Sequence, residues 1–263
     1  MTQHNGTQHD VTQHRSVRIV TRGLDFRYGQ RQVLFDINVA AGSGTRLGII
    51  GESGSGKTTL ARLLTGVLDS PQVTVNGQPW SQLKRTGQVR RRVQMIQQDP
   101  FASLNQQLTA LSAVREAVQV CRKLPRREAG RVAADLLDSV GVSAQASGRR
   151  PDRLSGGQCQ RVAIARALAA DPAIVVADEP TSALDLSVQA QIINLLLQIA
   201  ADRGVGLVLV SHDLAVIRHL TDEIVVMQHG RILETGATQE VLASPRHPYT
   251  RELCATAPWM RSA

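Results

Sequence analysis

The sequence predicts an α/β fold: a largely parallel sheet with covering helices, an antiparallel β part before it, and a helical insertion within it. Three observations carry this expectation. Strand and helix signals alternate through the last third of the chain, as they do where parallel strands are joined by helical crossovers. A short apolar run at 45–50 leads directly into a glycine-rich turn and then into a helical pattern. Between about 99 and 153 the strand signals stop, and two arginine-rich segments with helical spacing follow, separated by Pro125.

The elements are taken in chain order. Residues 1–15 carry a tripeptide at a five-residue step, Thr2-Gln3-His4, Thr7-Gln8-His9 and Thr12-Gln13-His14. So polar a stretch cannot bury enough apolar surface to fold, and it reads as a disordered leader. Its histidines could hold a transition metal only weakly, because nothing orients the imidazoles. Val17, Ile19, Leu24 and Phe26, then residues 33–40, read as short strands with turn signals at Tyr28-Gly29 and 41–44. Residues 45–50 form a buried-type strand, 57–66 have helical apolar spacing, and 73–75 before Asn76-Gly77 predict a small hairpin. A strand at 93–96 precedes the insertion, whose helices are expected at 109–124 and 126–140. Beyond it come a helix at 159–169, a strand at 173–177 and a helix at 187–202 ended by Gly204. A strand at 206–210, a helix at 213–220, and two strands at 223–227 and 231–234 around His229-Gly230 complete the series. The expected organisation is one domain over 16–258. Its core is 16–98 with 154–243, its helical subdomain is 99–153, and 244–263 is a tail.

Composition narrows the function classes. The 263 residues are 42% hydrophobic and 20% charged, as in ordinary soluble domains. A membrane span needs roughly 18 consecutive apolar residues, and the richest runs, at 173–177, 206–210 and 224–227, are far shorter. No basic start followed by an apolar stretch opens the chain, so no secretory signal is expected. Cys121, Cys159 and Cys254 stand far apart, which argues against a zinc ribbon, a disulfide scaffold or an iron–sulfur cluster and fits a reducing cytosol. The net charge of +8 suggests an anionic partner without choosing one.

The motifs choose. Gly51-Glu52-Ser53-Gly54-Ser55-Gly56-Lys57-Thr58 fits G-x-x-x-x-G-K-[ST] between a strand and a helix, with Thr59 following. Glycines let successive backbone N–H groups point inward, the helix adds the positive end of its dipole, and together they capture phosphate. Lys57 would then reach the β- and γ-phosphates, and the Thr58 hydroxyl would ligate Mg²⁺. A second motif, Ala173-Ile174-Val175-Val176-Ala177-Asp178-Glu179, reads as a buried strand delivering acids to the C-terminal sheet edge. There Asp178 would hold Mg²⁺, and Glu179, facing the other way, would polarise an attacking water. The third, Leu154-Ser155-Gly156-Gly157-Gln158, opens a helix. Ser155 and Gln158 fit a capping box, while the two glycines bare amide groups for a second anion site. One γ-phosphate needs no second cradle in the same chain, so this segment is expected to close over nucleotide held by a partner's Lys57 loop.

These motifs, in this order from residue 16 onward, resemble the nucleotide-binding subunit of an ATP-binding cassette transporter, a P-loop NTPase with a RecA-like core. The resemblance implies an adenine platform at Tyr28, a Mg²⁺- and water-sensing glutamine at Gln98, an interface-crossing Asp185 within Ser182-Ala183-Leu184-Asp185, and a γ-phosphate contact at His212. It also implies ATP and Mg²⁺ as cofactors, two membrane-spanning permease subunits, a second ATPase subunit identical or paralogous, and indirectly an extracytoplasmic binding protein. The location implied is peripheral, on the cytoplasmic face of the membrane. Ser155-Gly156-Gly157-Gln158-Cys159-Gln160-Arg161 and the tail Ser244-Pro245-Arg246-His247-Pro248-Tyr249-Thr250-Arg251-Glu252-Leu253 resemble the peptide and nickel importer branch, especially its second ATPase. The branch usually has proline after the asparagine of Ser-Leu-Asn, where this chain has Gln106. The short ending is closer to nickel or metal-chelate members. An accessory ATPase of a soluble enzyme complex, such as one degrading phosphonates, is the alternative. A nucleic-acid-associated ATPase is the third option, though nucleic acid is not an expected partner. Residues 98–122 are expected to meet the permease, while Arg122, Arg126, Arg127 and Arg131 read as a solvated face. Cys159 is either a thiol-sensitive point or a buried small residue.

Overall fold

The computed structural model describes residues 16–84 and 86–255. The repeat at 1–15, read as a disordered leader, and the end of the tail at 256–263 lie outside the described residues.

The central sheet has six strands in the order β12-β11-β5-β10-β9-β8. These are β5 (Arg46–Ile50), β8 (Val93–Ile96), β9 (Ile174–Asp178), β10 (Gly206–Ser211), β11 (Glu223–Gln228) and β12 (Arg231–Ala237). All neighbours run parallel except β12, which returns antiparallel to β11. Every residue of β9 and β10 is buried, as expected of strands covered on both faces. Their side chains nevertheless divide with period two. Val175, Ala177, Leu207 and Leu209 enter one core, and Ile174, Val176, Val208 and Val210 enter the other.

The second core is closed by the N-terminal strands. Strands β1 (Arg18–Thr21), β4 (Ala40–Gly42), β6 (Val73–Val75) and β7 (Gln78–Pro79) form an antiparallel sheet in the order β4-β1-β6-β7. A separate hairpin pairs β2 (Leu24–Tyr28) with β3 (Arg31–Ile37). The turn between β6 and β7 has positive φ at both Asn76 (50°) and Gly77 (82°), the geometry for which the Asn-Gly pair is suited. Helix α1 (Lys57–Leu64) buries Leu60, Leu63 and Leu64 in the same core.

The first core is filled by helices. Short α2 (Gln88–Arg91) precedes β8, and after it come α3 (Pro100–Ser103), α4 (Ala110–Arg122), α5 (Arg126–Ser139) and α6 (Ala144–Ser147). Thr109 caps α4 by accepting from Ser112 N–H, and Val114 and Val118 of α4 pack with Ala133 and Leu137 of α5. Helix α7 (Gly156–Leu168) lies beneath them, and the Arg166 guanidinium donates to the Ser103 carbonyl, tying α7 to α3. The remaining helices are α8 (Leu186–Arg203), α9 (Leu214–Leu220), α10 (Thr238–Ala243) and α11 (Pro248–Ala255).

Differences from the sequence expectations are local. Helix α7 begins at Gly156, not at residue 159, because the Ser155 capping box starts the helix on glycines that propensity disfavours. Helices α10 and α11 are additional to the expected elements, being too short to show a helical period.

The start of β10 has no room for a side chain. A Cβ on Gly206 would stand 2.0 Å from the Gly42 carbonyl oxygen. Gly206→Ala is therefore expected to cost about 2 kcal/mol or more by forcing β10 away from β4. Urea denaturation monitored by circular dichroism measures this.

Candidate active site

Strand register brings the chemistry together. In the parallel ladders Ile50 lies opposite Ser211, Val210 opposite Asp178, and Ala177 opposite Ile96. The glycine loop, the two acids, His212 and Gln98 therefore all leave the sheet along one C-terminal edge.

The loop between β5 and α1 takes backbone shapes that favour glycine, with φ of 156° at Gly51, 81° at Gly54 and 101° at Gly56. Contacts on its outer side are just as restrictive. A Cβ on Gly51 would stand 2.1 Å from the Met227 carbonyl oxygen, and one on Gly56 would stand 2.7 Å from Leu34 Cδ2. Gly230 N–H donates to the Ser55 carbonyl at 3.0 Å. No side chain caps α1, which leaves its first amides to an anion. Lys57 is 5% exposed, and its ammonium donates to the carbonyls of Gly51 and Glu52, both at 2.7 Å. Burial lowers its pKa, against the opposing pull of Glu179, Asp178 and Glu52.

Two adjacent acids face different partners. Asp178 is buried and accepts from Thr58 Oγ1 at 3.1 Å. Burial raises its pKa, opposed by the Thr58 hydrogen bond, Arg62 and Lys57. Glu179 sits at φ 44°, an uncommon shape for a side-chain-bearing residue and a common one at functional sites. Its N–H donates to the Val210 carbonyl at 2.9 Å. Its Oε2 lies 3.2 Å from Gln98 Nε2, which donates to it, and 3.4 Å from His212 Nδ1. Gln98 also donates to Ser182 Oγ at 3.3 Å, a partner that the sequence does not reveal.

A cleft of about 810 Å³ is lined by Tyr28, Arg31, Val33, Ser53, Gly54, Gly56, Lys57, Thr58, Thr59, Gln98, Glu179 and His212. Tyr28 is 44% exposed and its ring stands nearly perpendicular to that of Phe26, with ring centroids 5.1 Å apart. The neighbouring oxygens of Thr58 and Asp178 are hard donors suited to Mg²⁺, which takes few protein ligands and completes its shell with water and phosphate oxygens. Among the described residues there is no cluster of three or more His, Cys, Asp or Glu that would favour another metal.

The remaining expected site residues do not line this cleft. Ser155 and Gln158 form the full capping box, Gln158 N–H to Ser155 Oγ at 3.2 Å and Ser155 N–H to Gln158 Oε1 at 3.0 Å. A Cβ on Gly157 would stand 2.5 Å from Val188 Cγ1, and one on Gly156 3.2 Å from Leu184 Cδ2, so the start of α7 is packed on the start of α8. Asp185 caps α8, accepting from Val188 N–H at 3.0 Å and Ser187 Oγ at 2.7 Å, and these bonds hold its pKa down. Leu186 beside it is 84% exposed. Glu52 contributes its backbone rather than its side chain. Its N–H donates to the Tyr249 hydroxyl oxygen at 2.9 Å, a contact with no local signal in the sequence. Cys159 is fully buried with its thiol pKa pushed up to about 11, so it is the buried small residue and not a reactive thiol. Arg122 is not simply solvated, since it donates to the carbonyls of Ala169 and Leu168 at the end of α7.

Comparison with known proteins gives a consistent result. A family model described as ABC transporter matches residues 34–182. The "Probable peptide ABC transporter ATP-binding protein" of Sinorhizobium fredii is 45% identical over 227 residues, covering 85% of this chain and 64% of its own length. The "Oligopeptide transport ATP-binding protein" of Lactococcus lactis is 41% identical over 226 residues, covering 84% of this chain and 71% of its own length. The "Dipeptide transport ATP-binding protein" of Haemophilus influenzae is 37% identical over 243 residues, covering 91% and 74%. The chain thus spans only part of each relative, under two thirds of the first. Among solved structures, a dimeric ATP-binding cassette in a post-hydrolysis state with ADP and Pi aligns with a TM-score of 0.73 at 28% identity, covering 84% of this chain and 98% of that one. A cassette of an ABC transporter complex from Clostridium perfringens aligns at 0.74 and 26%, covering 92% and 96%.

Asp178 links stability to the site. Its folded-state pKa is raised, so the ionised form costs stability at neutral pH, and that cost fades as pH falls through the folded pKa. Asp178→Asn is therefore expected to raise the melting temperature at pH 7. Thermal melting of both forms at pH 7 checks this.

Proposed function

This chain belongs to the ABC transporter family, and on that premise we propose that it is the ATP-hydrolysing subunit of a membrane importer for peptides, acting in a head-to-tail pair of cassettes. One observation carries the reading: of the two glycine-bearing helix starts that the motifs mark, only the one at Lys57 lines the cleft. The other, at Ser155 and Gly157, does not line the cleft and packs on Leu184 and Val188. Each ATP then bridges the Lys57 loop of one molecule and the Ser155–Gln158 turn of its neighbour. ATP favours the closed pair because only that state makes both sets of contacts.

Within one half-site the geometry supports the following roles. Lys57 keeps the Gly51 carbonyl and turns its other N–H donors to phosphate oxygens, and Tyr28 takes the adenine ring. Thr58 and Asp178 would hold Mg²⁺, which supplies charge neutralisation at the phosphates. Glu179 orients the attacking water, with Gln98 and His212 holding its carboxylate from two sides. Asp185 acts across the interface through the segment that it caps. Loss of the terminal phosphate removes the bridge, and the pair reopens.

Among the described residues no helix is long and apolar enough to cross a membrane. The similarity to importer ATPases supports two permease subunits as partners that would carry the substrate path. Residues 98–122 would meet them, with Phe101 exposed on α3. The subunit would sit on the cytoplasmic membrane face, and an extracytoplasmic binding protein would deliver the cargo. The names of the relatives favour peptides over nickel or metal chelates as that cargo, and a transporter over a soluble accessory ATPase.

Glu179→Gln is expected to lower ATP hydrolysis by about 100- to 1,000-fold while ATP still binds and drives the chain into a stable dimer. Size-exclusion chromatography with light scattering, with and without ATP, reads the association. Purified from its native membrane in detergent, the chain should bring polytopic permeases with it. A variant that stays monomeric with ATP and turns over normally would overturn the reading.

A further inference from the structure

The peptide unit between Gly51 and Glu52 is held at both ends. Its carbonyl accepts from Lys57 Nζ at 2.7 Å, and its N–H donates to the hydroxyl oxygen of Tyr249 at 2.9 Å. Tyr249 lies in α11, 197 positions along the chain, and is only 5% exposed.

Helix α11 is anchored as a support for that hydroxyl. The Glu234 carboxylate, on β12, accepts from the N–H groups of Arg246 and His247 at 2.8 and 3.1 Å. His247 Nδ1 accepts from Tyr249 N–H at 3.2 Å, and Pro248 opens the helix where its missing N–H costs nothing. Arg251 turns back to the carbonyls of Pro245 and Arg246 at 3.0 and 2.8 Å. Cys254 and Tyr249 enter the first core. Burial raises the Tyr249 pKa, so the phenol stays neutral and its oxygen stays an acceptor of ordinary strength.

A peptide unit is planar, so its N–H and C=O cannot turn independently. Next to Gly51, which lacks a Cβ to restrict it, such a plane would otherwise rotate at little cost. Fixing the N–H therefore fixes where the carbonyl points, and that carbonyl is one of the two groups that hold the Lys57 ammonium. The three groups form a chain of hydrogen bonds that polarise each other in the same direction.

We propose that Tyr249 is a positioning residue of the nucleotide site, acting on Lys57 through the Gly51–Glu52 peptide. The tail segment thereby becomes part of the ATPase machinery instead of a passive ending. This rests on the reading of Lys57 as a ligand of ATP phosphates.

The test is a double-mutant cycle on the full chain, with Mg-ATP affinity measured by equilibrium dialysis. Tyr249→Phe, which keeps the ring and removes the hydroxyl, is expected to weaken ATP binding by about tenfold. It is expected to raise KM more than it lowers kcat. In a Lys57→Ala background the same change should have no further effect, because the group it acts through is gone. Cys254→Ala, which leaves a cavity in the same helix, should lower the melting temperature while leaving ATP affinity at the parental value. Unchanged affinity in folded Tyr249→Phe would overturn the proposal. So would an equal loss in both backgrounds, which would mean that the hydroxyl merely stabilises the fold. If Lys57→Ala alone leaves ATP affinity intact, the phosphate-site reading itself fails and this inference falls with it, a result separable from the other two.

Discussion

A loop that must offer its inner amides to a phosphate has to be held from its outer side, and the rest of this structure serves that constraint. Gly51 lies too close to the Met227 carbonyl to carry a side chain, Gly56 lies too close to Leu34, and the Ser55 carbonyl takes the Gly230 N–H. These contacts come from β11, from the β11–β12 turn and from the N-terminal hairpin. The loop therefore stands where three parts of the fold meet, and its glycines are required as much by what surrounds them as by what they bind. Lys57 completes the arrangement. Its charge is kept out of water on carbonyls, and such a charge gains most from an incoming anion.

The parallel sheet does the rest of the positioning. Because β5, β9 and β10 end in register, the residues after them gather at one edge without any long loop having to search for them. Asp178 is the last residue of its strand and keeps its side chain buried against Thr58. Glu179, at φ 44°, breaks the strand direction and swings its carboxylate to Gln98 and His212. The two adjacent acids therefore meet different partners, Asp178 with Thr58 and Glu179 with Gln98 and His212, each in a distinct electrostatic environment.

Features that depend on neighbours along the chain are legible in the sequence. The 45–50 strand, the glycine loop and α1 succeed one another within twenty residues, so motif, strand and helix signals reinforce each other. The alternation after residue 173 discloses a parallel sheet because crossovers of that length leave few other topologies. The strand order is not legible, since pairing β5 with both β10 and β11 depends on contacts across more than 150 residues. Helix α7 starts three residues before its expected position, because glycine propensity argues against a start that the capping box supplies. Ser182 beside Gln98, and Tyr249 beneath Glu52, have no local signature at all. Both are side-chain contacts between distant segments, and a hydroxyl's partner cannot be inferred from its neighbours in sequence. The tail motif containing Tyr249 is conspicuous, but its placement in space is not.

In the proposed pairing, one molecule supplies two unlike halves of a site. The cleft at Lys57 is lined by Glu179 and lies beside Asp178, whereas the Ser155 turn does not line it. Mixing two defective chains tests this division most directly: Lys57→Ala, which loses the cleft, and Ser155→Arg, which blocks the opposing turn. Neither should hydrolyse ATP alone, and an equimolar mixture should recover about a quarter of the parental rate, since half of the pairs would contain one intact composite site out of two. Hydrolysis at the parental rate by Ser155→Arg alone, or a silent mixture in which the two chains demonstrably pair, would contradict a shared site.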